Sequence, residues 1–490
     1  MDSIKTKSVV GGAWTFLSQG TVFGLRLLST AILARILTPF DYGLIAMALV
    51  ISNFAKVIND FGLTQGTVQS TEITQQQLSN VFWINVGVGI VLTILIAITA
   101  PLTGLIFEQS ELPGIQIFIS VVFFFGALSV QHKAILQRKI AFKKIAIVEI
   151  VAKAVAVAVG VYLGLNGFRY WALAAIPVAN ALMVTIGMWV FFPWLPGRLD
   201  VKTSINSIVV FGKNVTAFNV VNYLSRNADS FLVGKFLGSQ ALGLYSKAYS
   251  LLMLPVLQIQ GPLTQVGFAA LSRLKENPQH FRNYYLKMVG IIAFLTAPLV
   301  LVIGLNTNDL ILVMLGEQWL EAGSVFQILA LAALLQPISG TIGMVLIAKG
   351  DSEAYFRLGV ATAIVNVGAF LVGIQWGIAG VAFSFTISNY LRLLPTLWYG
   401  FRHTSISVSD FFKVVQLPFA LGLVASGISH YLVEWLQVFA IPVLRLILAT
   451  SLSFGIYGFL FWILPQAKHY RNDIQEIFRI LFRPVVPIKS

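Results

Sequence analysis

The run VFWINVGVGIVLTILIAITA at 81–100 crosses twenty residues without a charge. A helix of that length rises about 30 Å, the thickness of a bilayer's hydrocarbon core. Apolar runs of about 18 to 26 residues recur along the whole 490-residue chain. Inside a bilayer every backbone amide must be satisfied internally, which leaves only helices or closed barrels. A barrel would alternate apolar and polar positions over segments of about ten residues, and these runs do not alternate. The expected fold class is therefore an all-α polytopic membrane protein.

Composition closes the soluble alternative. The chain is 57% hydrophobic and 11% charged, where soluble domains carry about 25% charged residues. With no cysteine, neither disulfides nor thiolate metal sites are available. The formal net charge of +14 does not point to nucleic acid, because the cations fall in short loops and form no single patch. Lys5 and Lys7 precede an apolar stretch with no small-residue cleavage site close behind, which predicts a retained first span.

Spans are expected near 10–36, 42–64, 81–107, 114–134, 145–165, 170–192, 208–236, 240–265, 286–305, 323–347, 355–375, 377–400, 414–434 and 439–464, about fourteen in all. Loops on one side are basic: Lys133, Arg138, Lys139, Lys143 and Lys144; Arg198, Lys202 and Lys213; Arg273, Lys275, Arg282 and Lys287; and the tail with Lys468, Arg471, Arg479, Arg483 and Lys489. The opposite loops, FEQSELPG (107–114) and GEQWLEAG (316–323), are acidic. The positive-inside rule puts the basic side, and with it both termini, in the cytoplasm. No loop is long enough for a catalytic domain, and no P-loop motif is present.

The chain repeats itself. Displaced by 200 residues, positions 9–68 match 209–268 at eleven places, among them Arg26/Arg226, Leu37/Leu237, Gly43/Gly243, Leu44/Leu244, Ala48/Ala248 and the run LTQ in both copies. At a displacement of 210, Leu136/Leu346, Lys139/Lys349, Gly167/Gly377 and Ala172/Ala382 coincide. Spans 1–6 and 7–12 then form two pseudo-symmetric six-helix bundles, and an even count makes the repeat parallel. Such repeats belong to transporters that bind between the halves and work by alternating access. The expected division is 1–200 for the first lobe, 201–403 for the second, and 404–490 for two further helices and a cytoplasmic tail.

Ionisable groups inside spans are costly and are candidates for function. Arg26 and Arg226 occupy equivalent places, and an arginine fork suits a phosphate. Lys247, Arg35 and Lys235 are further candidates for an anionic head group. Arg226 has an alternative partner in Asp229, three residues on along the same face. Lys56/Asp60 and Glu149/Lys153 have i, i+4 spacing and read either as self-neutralised pairs or as sources of coupling carboxylates. Asp60, Glu149 and Asp229 are thus the candidates for sensing a cation. Arg392 and Arg445 read as snorkelling or packing residues. Gln19, Asn222, Tyr223, Asn227, Tyr245 and Tyr249 are candidate sugar-facing residues. Asp229 has Ser29 as its counterpart, so the two halves are not equivalent.

Several stretches carry a family resemblance: LARILTPFDYGLIAMALV (33–50), FGLTQGTVQ (61–69), SNVFWINVGVG (79–89), AILQRKIAFKKIA (134–146), SRNADSFLVGKFLGSQALGLYSKAYSLLMLP (225–255) and GEQWLEA (316–322). In order and spacing they resemble the polysaccharide and O-antigen flippases, the Wzx proteins of the MOP exporter superfamily. The WzxC-like colanic acid exporters are the subgroup they resemble most. The resemblance covers roughly 8–400. It implies two six-helix lobes forming a V, as in MATE and other MOP proteins. It also implies a flippase of the bacterial inner membrane that moves undecaprenyl-pyrophosphate-linked oligosaccharide units for surface polysaccharide synthesis. Membrane lipids, a polysaccharide polymerase and a chain-length regulator are the implied partners. No cofactor is implied, and an H⁺ or Na⁺ gradient is the implied drive. By position in span 1, Arg26 matches a cavity arginine of the superfamily.

Three rivals remain to be weighed. A lipid II flippase proper is separated only by substrate assays. A MATE-type multidrug exporter predicts an acidic cavity, whereas here the intramembrane charges without a neighbouring acid are basic. A polyprenyl-linked membrane glycosyltransferase or polymerase predicts a long outer loop with catalytic acids, which the sequence lacks. The expectation is a transporter and not an enzyme.

Overall fold

The structure is a computed structural model that describes residues 2–59, 67, 73–200, 206–436, 441–468 and 470–471. Side chains of 2–9, 57–59, 206–222, 224–226 and 436 lie outside that description. The regular structure among the described residues is helical, as the apolar runs require. In order they form α1 (Asp2–Ile36), α2 (Pro39–Asn59), α3 (Gln75–Phe107), α4 (Leu112–Arg138), α5 (Phe142–Leu165), α6 (Tyr170–Phe191), α7 (Asn206–Leu274) and α8 (Pro278–Leu305). There follow α9 (Thr307–Met314), α10 (Ala322–Ser339), α11 (Thr341–Ala348), α12 (Ser352–Gly373), α13 (Gly377–Phe401), α14 (Val408–Leu436) and α15 (Pro442–Ile463).

Eleven runs among the described residues are long and apolar enough to cross a membrane. Two of them, Asn227–Leu274 and Ser352–Phe401, have 48 and 50 residues, too long for one crossing. Gly238 breaks the first with φ 83°, and Gly377 breaks the second with φ 70°. Dividing each at its break raises eleven to thirteen, one short of the expected fourteen. The shorter α2, with Asp41 at one end and Lys56 at the other, is outside that set.

The chain divides into two compact units, Met1–Ser246 and Lys247–Ser490. The first includes the described side chains of span 7. Phe231 meets Phe107 edge-on at 5.5 Å, and the Tyr223 hydroxyl donates to the Val50 carbonyl at 2.7 Å. The core of the second unit gathers Phe281 and Tyr285 of α8, Val345 of α11, Leu397 of α13 and Phe411 of α14. Against α8 sits the C-terminal pair, with Tyr457 and Phe461 of α15 on Phe294 and a buried Ser426–Ser453 hydrogen bond of 2.9 Å between α14 and α15.

The repeat is visible at one turn. The Lys139 amide, closing α4, donates to the Gln137 and Ile135 carbonyls, and at +210 the Lys349 amide, closing α11, donates to Ile347 and Val345. The next residues, Ile140 and Gly350, both turn left-handed, with φ 55° and 83°. Elsewhere the cross-helix bonds do not follow the same displacement: Thr185 and Trp189 of α6 donate to the Phe125 and Leu128 carbonyls of α4, and Thr386 and Tyr390 of α13 to Ile328 and Leu331 of α10.

Two repeat-related glycines also meet. A Cβ on Gly43 would overlap the Ser239 carbonyl, and one on Gly243 would overlap the Pro39 carbonyl. Since 239 and 243 are 39 and 43 displaced by 200, the two segments approach each other reciprocally. Only a residue without Cβ allows backbones this close.

An extended segment, 192–200, leaves α6 and runs along the start of α3. A capping box fixes that start: Thr74 accepts from the Gln77 amide, and Gln77 accepts from the Thr74 amide. One face of α3 then grips the segment's backbone. Gln75 donates to Leu195 O, Gln76 to Arg198 O, Asn80 to Asp200 O and Trp83 to Gly197 O. In return the Gly197 amide donates to Ser79 Oγ and the Asp200 amide to Asn80 Oδ1. Trp194 donates its indole N–H to Gln75 and packs against buried His132 and Phe82. A chain without regular structure must place its backbone polar groups somewhere, and here the side chains of α3 receive them.

Candidate functional site

The first unit assembles its charged site on two helices that run side by side in the same direction. Phe142 of α5 fills the space at Gly11 of α1, where a Cβ would lie 2.7 Å from its ring. Leu33 of α1 fills the space at Gly164 of α5, 3.0 Å from the Cβ position. Between these ends Lys143 lies over the Trp14 ring, 5.3 Å from its centroid. The register between these ends sets Lys153 of α5 within about one helical turn of the level of Arg26 on α1.

The i, i+4 spacing suggested that Glu149 would neutralise Lys153. It does not. Glu149 receives Lys133 of α4 at 2.7 Å. Lys133 approaches from the neighbouring helix and takes the carboxylate away from the seam. Among the described residues, no carboxylate is recorded in an ion pair with Arg26 or Lys153. Two adjacent cations in a span are costly in a bilayer, and a doubly charged anion between them would relieve that cost. Gln19 is exposed and lies seven residues before Arg26, two helical turns away on the same face.

The other candidates are placed as follows. Arg35 is exposed in the last turn of α1. Lys235 donates to Glu108 at 2.7 Å, a counter-charge the sequence did not assign. The Lys235 ammonium holds the Glu108 carboxyl below the usual carboxylate range. Tyr223 is half-buried, 6.0 Å from the Phe54 ring, and Asn227 donates to the Tyr223 carbonyl on its own helix at 2.9 Å. Asp229 is buried and accepts from the Ser230 amide at 2.6 Å and the Tyr245 hydroxyl at 3.0 Å. Tyr245 is therefore packed away with its hydroxyl committed to Asp229. Asp60 and the side chains of Asn222 and Arg226 lie outside the described residues.

In the second unit, Lys247 is half-buried, and the Tyr249 hydroxyl donates to Gln336 at 3.3 Å. Arg392 donates to Ser388 O and Asn389 on its own helix. Arg445 is more than a snorkelling residue, since it forms an ion pair with Asp309 of α9. Among the described residues, no group of three or more His, Asp or Glu is placed to hold a metal ion.

The sequence missed Lys153 as the companion of Arg26. Spacing on one helix pointed to Glu149, and nothing in the linear pattern placed Lys133 opposite it. A signal was available in the count: α5 has two lysines in its first turn, and span 5 itself has one acid for one base, so any outside cation leaves Lys153 over.

Comparison with known proteins follows the same line. The family described as polysaccharide biosynthesis protein matches residues 32–324. The lipopolysaccharide biosynthesis protein WzxC of Escherichia coli (strain K12) is 25% identical over 445 residues, 88% of each chain. The teichuronic acid biosynthesis protein TuaB of Bacillus subtilis (strain 168) is 25% identical over 485 residues, 96% of this chain and 98% of TuaB. The succinoglycan biosynthesis transport protein ExoT of Rhizobium meliloti (strain 1021) is 24% identical over 449 residues, 91% of this chain and 90% of ExoT. Among solved structures, the lipid II flippase MurJ in an inward closed conformation matches with a TM-score of 0.70 at 14% identity, covering 92% of this chain and 99% of MurJ. An inward-facing multidrug resistance MATE family transporter of the MOP superfamily matches with a TM-score of 0.60 at 16% identity, covering 78% of this chain and 93% of that one. At such identities these two show the fold, a MurJ- and MATE-like helical membrane fold. With the family match spanning more than half of its length, this chain belongs to the polysaccharide biosynthesis protein family.

Proposed function

We propose that this chain is a flippase of the bacterial inner membrane. It carries undecaprenyl-pyrophosphate-linked oligosaccharide repeat units from the cytoplasmic to the outer leaflet by alternating access, for surface polysaccharide synthesis. Arg26 and Lys153 carry this reading, being two adjacent cations without a recorded carboxylate partner among the described residues. A pyrophosphate has the charge and the oxygens to lie between a guanidinium fork and an ammonium. Gln19, Tyr223 and Asn227 are the polar side chains on offer to the sugars, and Arg226 and Lys247 are further cations for the head group. The polyprenyl tail stays in the bilayer, where its transfer costs nothing.

Relatives named for lipopolysaccharide, teichuronic acid and succinoglycan biosynthesis support a lipid-linked saccharide as cargo. The MATE likeness by itself would equally allow a drug exporter, but a cationic drug would be repelled by Arg26 and Lys153. Asp229, buried and hydrogen-bonded to Tyr245, is the carboxylate we assign to uptake of the driving H⁺ or Na⁺. Both termini are assigned to the cytoplasm by the basic loops.

The reading is tested by complementation. Arg26→Gln, Lys153→Gln and the double variant are expressed in a host lacking its own flippase for a matching repeat unit, and surface polysaccharide is measured at equal protein level. Loss of polymer in the double variant, with partial recovery in Arg26→Lys, is expected. Undiminished polymer in the double variant would overturn it.

A further inference from the structure

The last turns of α4, the short loop after it and the first turn of α5 carry five cations, and four are occupied in holding the fold. Lys133 pairs with Glu149, and Arg138 donates to the Thr67 carbonyl at 3.3 Å. Lys139 lies over the Phe192 ring at 4.9 Å, and Lys144 donates to the Phe191 carbonyl at 3.1 Å. Lys143 differs. It is exposed, turned to α1, and poised over the face of Trp14. That places an ammonium and an indole ring together at the basic end of the seam that holds Arg26 and Lys153. From Lys143 to Lys153 is ten residues, a rise of about 15 Å along α5.

We propose that Lys143 and Trp14 form a receiving site for the phosphorylated sugar head of a lipid-anchored substrate, upstream of the Arg26–Lys153 pair. The ammonium takes a phosphate oxygen with the donors it does not aim at the ring, and the indole offers a flat apolar face to the adjoining sugar. The head then moves down the α1–α5 seam and exchanges one cation for two. The parallel register makes this path continuous: Gly11 with Phe142, Trp14 with Lys143 and Leu33 with Gly164 lie along it in order, with Arg26 and Lys153 between them. This inference rests on the flippase reading above and adds a separate site to it.

The test uses the full chain labelled with 5-fluorotryptophan in phosphatidylcholine nanodiscs, with the Trp14 fluorine resonance assigned through Trp14→Phe. Farnesyl diphosphate is the probe, farnesol the uncharged control and phosphatidylglycerol the ordinary anionic lipid. The Trp14 resonance is expected to shift with farnesyl diphosphate and to stay in place with farnesol or phosphatidylglycerol. In Lys143→Gln the half-saturating concentration should rise about tenfold, as loss of a charge-assisted bond predicts, and Lys143→Arg should restore it. In Arg26→Gln/Lys153→Gln the shift should persist, because the receiving site lies upstream. No shift, an equal shift with phosphatidylglycerol, or a shift unchanged by Lys143→Gln would each overturn the inference. The flippase reading is judged separately, by whether Arg26→Gln/Lys153→Gln still exports polymer.

Discussion

Arg26 of α1 and Lys153 of α5 stand within about one helical turn of the same level on two parallel, packed helices. A membrane protein has no stability to gain from such a pair, so each charge is a standing cost that substrate relieves. Arg26→Gln or Lys153→Gln alone should therefore stabilise the detergent-purified protein by roughly 0.5–2 kcal/mol, read as a rise in its melting temperature. The same variants should lose export. A drop in melting temperature in both would show that the cations hold structure instead.

The segment at 192–200 is fixed to α3 by backbone bonds, and its geometry can be trapped. A Cβ built at Gly197 lies 3.9 Å from Ser79 Cβ, within the roughly 3.5–4.5 Å that a disulfide needs. Because the chain has no cysteine of its own, Ser79→Cys/Gly197→Cys should cross-link cleanly on mild oxidation. Mass spectrometry of the linked peptides reads the result, and two unlinked thiols after oxidation would contradict the described course of this segment.

Glycines differ sharply in what they do. Gly43→Ala and Gly243→Ala would each drive a methyl into a backbone carbonyl and should cost about 1–3 kcal/mol or more through overpacking. Gly12, on α1, has open space where its Cβ would go, so Gly12→Ala should be neutral or gain up to about 1 kcal/mol from helix propensity. Thermal unfolding of the three variants side by side checks the contrast.

The C-terminal helices are anchored by one bidentate ion pair. Arg282 of α8 grips Asp410 of α14 through Nε at 2.9 Å and Nη2 at 2.8 Å, while Asp410 also accepts from the Ser407 amide at 3.1 Å. Asp410→Asn keeps the cap but loses the fork, and should cost about 1–3 kcal/mol as a partly buried charge-assisted pair. Limited proteolysis should then cut first in the 402–407 turn.

Length and hydropathy made the helices legible, because a bilayer admits so few alternatives. The repeat was legible in part, and the turns at Lys139 and Lys349 carry it in their backbone bonds at a displacement of 210. Side-chain partners were legible only within one helix. Arg445 with Asp309, Lys235 with Glu108 and Lys133 with Glu149 join different helices, and spacing along the chain holds no information about which faces meet. The described side chains of span 7, such as Phe231 against Phe107, have partners that the repeat did not name.

The most direct measurement is translocation itself. Wild-type protein and the Arg26→Gln/Lys153→Gln variant are reconstituted at equal density in liposomes holding a fluorescent undecaprenyl-pyrophosphate-linked oligosaccharide, and arrival at the opposite leaflet is followed by a membrane-impermeant quencher. The wild type should translocate, and the variant should be slower by at least about a hundredfold, the loss expected when two charge-assisted contacts of about 1.5 kcal/mol each are removed. Equal rates for the two proteins would contradict the assignment of the pyrophosphate to this pair.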